Sequence, residues 1–116
     1  NAHALAKSGK VRGLAATTAQ RFPAAPEYPT IAESGLPAYE VSAWDAVFAP
    51  SGTPAPIIAK LNAAIRRVLE EPELAESLLK HGAQVAAGTP DELARHVASE
   101  TAKWAIVVRQ SGAKID

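Results

Sequence analysis

Apolar residues change their spacing partway along this chain, and the change divides it. From Val11 to Thr17 (VRGLAAT) and from Glu40 to Pro50 (EVSAWDAVFAP), small and apolar residues run almost continuously, as in extended segments buried on at least one face. Beyond Pro54 the spacing becomes helical. Ile57, Ile58, Leu61, Ile65, Val68 and Leu69 fall on one side of a first helix, with Lys60, Arg66 and Arg67 on the other. Leu74, Leu78 and Leu79 mark a second helix, and Leu93, Val97, Trp104 and Val108 the stripe of a long last one. Residues 2–9 predict a short helix ending near Gly9, residues 18–29 (TAQRFPAAPEYP) an extended loop, and residues 83–88 a short strand.

Start and stop signals sharpen these limits. Thr30 with Glu33, and Thr89 with Glu92, have the spacing of a capping box, in which each side chain accepts from the other residue's backbone N–H. Gly35 and Pro37 end the first turn; Pro90 suits the first position of the last helix, and Gly112 can close it. Thr53 is the expected N-cap of the helix entered through Pro54. Two strands are a thin platform for three amphipathic helices, which predicts a sheet completed by further sequence or by another chain.

Composition narrows the function. One hundred and sixteen residues make one small domain. Lys+Arg and Asp+Glu both number 12, leaving no basic excess for nucleic acid or an anionic membrane. With no cysteine there is no disulfide, thiolate metal site or cysteine nucleophile. No apolar run approaches the roughly 20 residues of a membrane span, and NAHALAKSGK is too polar for a signal peptide. The chain opens on Asn1 and reaches its first extended segment within ten residues, as either a processed protein or a piece of a longer one does.

Catalytic and metal signatures are missing. His3, His81 and His96 have neither an HxxxH or HxH spacing nor an adjacent carboxylate pattern, and His81 suits a helix C-terminus. No serine lies in a GxSxG elbow, and the glycines form neither GxGxxG nor a phosphate loop. Glu70, Glu71, Glu73 and Glu76 gather near a helix start, where negative charge complements the dipole. Trp104 sits in an apolar stripe and reads as a core anchor, whose truncation to Ala costs about 3–5 kcal/mol. Trp44 differs: its neighbours Ser42, Ala43, Asp45 and Ala46 are small or polar, a setting that suits a ligand cleft or a domain hinge.

Several landmarks together resemble a known family. They are GKVRGLA, the loop P-x-x-P-x-Y-P-T-I-A-E-S-G, the segment W-x-x-x-F-A-P-x-G-T-P, the L-N-x-x-I helix and the ending HGAQVAAGTPDELARHVASETAKWAIVV. Essentially the whole chain is similar to the C-terminal part of the Bug/TctC family, the extracytoplasmic solute-binding proteins of tripartite tricarboxylate transport systems. The resemblance implies an α/β fold: a C-terminal fragment of a two-lobed periplasmic-binding-protein type II fold, mostly helical, with two crossing strands. Residues 1–50 would then hold the crossing strands (11–16 and 40–49) and their Pro-rich connection, and residues 51–116 the helices that pack on the first lobe. The signal peptide, the first-lobe sheet and the main carboxylate-holding loops of the family would lie outside this sequence.

By the same resemblance the chain supplies one wall of a ligand cleft, with Ser42, Trp44, Asp45 and Thr17 as the candidate ligand-binding residues. Asp45 stands where the family often has an aromatic or small residue. An acid facing the cleft would repel a purely acidic ligand, which points to a solute with an amine or amide beside its carboxylate. The implied protein is periplasmic, not an enzyme, uses no cofactor and binds no nucleic acid, and its partners are a small carboxylate or amino-acid-like solute and the membrane transporter subunits. The competing expectation is a stand-alone helical interaction module that covers its apolar stripes by forming a homodimer.

Overall fold

Four helices form where the apolar spacing predicts them. The computed structural model describes residues 2–113, with α1 at Ala2–Lys7, α2 at Ala55–Leu69, α3 at Pro72–Lys80 and α4 at Pro90–Ser111. Helix α1 ends in a paired closure, with Gly9 N–H donating to Ala6 O at 3.0 Å and Lys10 N–H to Leu5 O at 3.0 Å. This needs a left-handed residue, and Gly9 has φ +71°. The same closure ends α3, through Gly82 to Leu79 O and Ala83 to Leu78 O.

Both capping boxes are present. Thr30 N–H donates to Glu33 Oε2 at 2.9 Å while Glu33 N–H donates to Thr30 Oγ1 at 3.0 Å. At α4, Thr89 N–H donates to Glu92 Oε2 at 2.7 Å and Glu92 N–H to Thr89 Oγ1 at 3.2 Å. Thr53 does not cap α2. Its hydroxyl donates back to Pro50 O at 2.8 Å, closing the turn that carries Gly52, and Pro54 takes the cap position with no side-chain hydrogen bond. A competing local acceptor one turn upstream has captured the hydroxyl.

The expected strands do not form ladders. Among the described residues the β-pairing is one parallel bridge, Ala16 to Thr30, made by Ala16 N–H to Pro29 O at 2.8 Å and Ile31 N–H to Ala16 O at 2.9 Å. Residues 40–50 are extended and are tied to the first segment by Val41 N–H donating to Thr17 O at 2.9 Å. Residues 83–88 likewise have no ladder. The two crossing strands are therefore corrected to two extended segments that touch at a point. A strand exists only through its neighbours, and those neighbours are not among these residues.

Little of the chain is buried. Ala25 and Thr30, at 8% and 1% exposed, are the buried residues among those described. Helices α2 and α3 make the main helix pairing, and the 83–89 segment is pinned to α2 by Asn62 Nδ2 donating to Gly88 O at 2.9 Å. The accessible surface is 9427 Å² for 12.1 kDa, against about 6,000 Å² for a folded monomer of that mass. The radius of gyration agrees: 17.3 Å where a domain of this length has about 13 Å. Trp104 is accordingly not a core anchor within this chain. It is 38% exposed, with its indole N–H donating to Glu100 Oε2 at 2.9 Å and the Lys103 ammonium 5.7 Å from its ring centre.

Candidate functional site

The candidate site starts from the connection between the two extended segments. The 18–29 loop bends back so that Thr30 falls beside Ala16, and its folded turn is held by Arg21. That guanidinium meets Glu33 Oε2 at 3.0 Å and donates to Pro26 O at 3.3 Å. Glu33 therefore serves the cap and the loop together. Its carboxyl is held below the ordinary glutamate value, first by the Thr30 N–H and then by Arg21. Gly13 lies against the Tyr28 ring so closely that a Cβ there would sit 2.7 Å from Cζ.

This scaffold sets the position of Thr17, whose carbonyl receives the Val41 N–H. Thr17 is thereby placed alongside the start of the Val41–Asp45 run, and Ser42 follows immediately. All four candidates, Thr17, Ser42, Trp44 and Asp45, are exposed. Trp44 turns to α4, where its ring meets His96 edge to face, with centroids 5.0 Å apart and planes at 72°. Asp45 and Ser42 have no recorded side-chain hydrogen bond among the described residues. The structure thus brings Thr17 beside the 41–45 run and seats that run on the last helix.

His96 is the residue whose contact the sequence does not announce: it has no ligand spacing, and no local pattern links it to Trp44. His3 was hidden in the same way: its ring stands edge-on to Tyr28 at 6.1 Å, with Nδ1 3.8 Å from Glu27 Oε1. His81, as expected at a helix end, faces Ser77 O at 2.7 Å. Among the described residues no group of three His, Cys, Asp or Glu is placed to hold a metal ion, and no helix is long and apolar enough to cross a membrane.

Two hollows lie elsewhere. One, open to solvent, is lined by Thr53, Ala55, Ile58, Ala59, Asn62 and Pro90 between the starts of α2 and α4. The other lies between Pro23 of the loop and Ala75, Leu79 and Val85. Both are mainly apolar, and neither includes Thr17, Ser42, Trp44 or Asp45.

Thr17 and the 41–45 run together form a largely exposed, extended stretch that meets α4 through Trp44 and His96. Comparison with known proteins gives that observation a family. Residues 1–113 match the model of TctC, the tripartite tricarboxylate transporter family receptor. The chain belongs to this family. Among curated relatives it is 45% identical over 96 residues to the protein of the tcbD–tcbE intergenic region of a Pseudomonas species, covering 82% of this chain and 29% of that one. It is 39% identical over 109 residues to BugT of Bordetella pertussis, covering 94% and 33% respectively. The structure superposes on that of the periplasmic binding protein BugD with a TM-score of 0.79 at 33% identity, covering 98% of this chain and 39% of BugD.

The chain thus spans about a third of the length of these curated relatives. Its backbone follows that of part of a periplasmic binding protein. An open surface and unpaired extended segments are what such a part has when viewed without its surroundings.

Proposed function

We propose that this TctC-family chain is the C-terminal part of a periplasmic solute-binding protein that captures a small carboxylated solute for a tripartite tricarboxylate-type transporter. The observation that carries this reading is the junction of the two extended segments. Val41 N–H donates to Thr17 O, so Thr17 adjoins the start of the 41–45 run, which supports reading these residues as one wall. In this reading residues 1–50 hold the interlobe segments and residues 51–116 pack on the other lobe of a two-lobed type II fold. The main anion-holding groups come from outside the chain, and solute is held by cleft closure with no chemical step or cofactor.

Trp44 supplies an aromatic wall and Ser42 and Thr17 supply hydroxyls. Asp45 selects a solute with an amine or amide beside its carboxylate, because a bare polyanion meets a like charge there. Calorimetry of the full-length protein with citrate, succinate and asparagine tests both levels. The expected result is binding, with asparagine ahead of succinate; Asp45→Asn should remove that preference, and Trp44→Ala should weaken binding at least about tenfold, or 1.4 kcal/mol. No binding of any of the three would remove the carboxylate reading, and an unchanged preference in Asp45→Asn would remove the role given to Asp45.

The large accessible surface also favours a second reading, in which the apolar faces of two copies cover each other in a homodimer without ligand. Light scattering on the full-length protein separates the two: a concentration-independent monomer that binds solute leaves no place for the dimer.

A further inference from the structure

The Trp44–His96 contact joins the proposed ligand wall to the last helix, and neither partner has another aromatic neighbour recorded among the described residues. A ring pair in this geometry is worth more than the area it covers, because the positive edge of one ring meets the negative face of the other. Trp44 is 39% exposed and its flanking residues Ala43 and Asp45 cannot hold an indole. Its orientation therefore depends on what α4 offers. The His96 imidazole offers an edge-to-face partner.

We propose that His96 is the positioning residue for Trp44, holding its indole in the ligand wall. The proposal rests on the reading of residues 40–50 as one wall of a solute site. Its physical basis is the ring pair, whose centroids are 5.0 Å apart with planes at 72°, within the range in which edge-to-face aromatic pairs attract. The charged groups around the pair are few. On α4 they are Glu92 and Glu100 one turn to either side, Arg95 adjacent and Lys103 beyond; on the facing segment they are Asp45 and Glu40. Glu92 is engaged by Thr89, and Glu100 by Lys103 and Trp104. These engagements leave the indole as the ring partner that His96 faces.

Fluorine NMR of the full-length protein labelled with 5-fluorotryptophan tests the pairing without any solute. The Trp44 signal, assigned by its loss in Trp44→Phe, should move in His96→Ala, which removes the ring beside it. It should move likewise in His96→Gln and keep its native position in Glu100→Gln. A Trp44 signal that keeps its native position in both His96→Ala and His96→Gln overturns the pairing. Positioning is read separately, by calorimetry with asparagine at pH 7. His96→Phe, which keeps a ring, should bind within about twofold of native, and His96→Ala should bind about threefold to tenfold more weakly. Equal binding by His96→Ala, with native helicity confirmed by circular dichroism, overturns the positioning role. If the native protein binds none of the carboxylates, the solute-site reading falls, and the fluorine shift still decides whether His96 governs Trp44.

Discussion

Thr30 shows how much one side chain can hold in a chain with so little core. It is 1% exposed; its hydroxyl accepts from Glu33 N–H, its own N–H donates to Glu33, and its carbonyl accepts from the Ser34 hydroxyl at 2.8 Å. Thr30→Ala should cost about 1–2 kcal/mol in urea denaturation of the full-length protein, as loss of a helix cap does. Thr30→Ser should recover most of it. Glu33, Glu92 and Glu100 add a pH dependence with a definite sign. The Thr30 N–H lowers Glu33, the Thr89 N–H and hydroxyl lower Glu92, and Lys103 and Trp104 lower Glu100. Each folded-state value lies below the ordinary one, so the stabilisation is complete above that value. It is lost as pH falls from the ordinary 4.5 through the lowered folded value. The Thr30 and Thr89 amide proton resonances should shift as the pH is taken from 5 to 3, and Glu33→Gln should abolish the shift at Thr30 alone.

At the level of elements, the connections carry the arrangement. Asn62 holds the 83–89 segment to α2 through its hydrogen bond to Gly88 O. Asn62→Ala should raise amide exchange across residues 84–88 while leaving α2 helical, since the changed side chain is a good helix former. Gly13 is equally specific, because Tyr28 occupies the space a side chain would need. Gly13→Ala should displace the Tyr28 ring and loosen the loop that aligns Thr30 with Ala16, seen as weaker protection of the Ala16 and Ile31 amides. The caps and glycine stops of these elements were legible in sequence because they depend on residues within one turn. Thr53 was misread for a related reason: a hydroxyl with two acceptors in reach goes to the one the turn presents, and spacing alone does not say which.

For the whole molecule, the accessible surface of 9427 Å² is the governing fact. Val47 and Phe48 are 71% and 66% exposed, and Ile106, Val107 and Val108 also stand open on α4. The 116-residue chain on its own should bind a hydrophobic dye and self-associate in light scattering, and both signals should fall in the full-length protein. Trp104 belongs to this picture. Its stripe of apolar neighbours was correctly located on α4, but the surface that would bury it is not among these residues, so the core cost expected of its truncation belongs to the longer protein.

Local chemistry was decided by the sequence itself: four helices and most of their ends, two capping boxes, and a family resemblance carried by ordered motifs along nearly the whole chain. These depend on contacts within a few residues or on residue identity, which no distant partner alters. Tertiary structure alone decided what lies against what. It placed Thr17 beside the Val41–Asp45 run, reduced the expected strands to one bridge and one junction, and set His96 against Trp44. Such pairings join residues separated by tens of positions, and their formation depends on how the intervening loop turns, which no periodicity encodes.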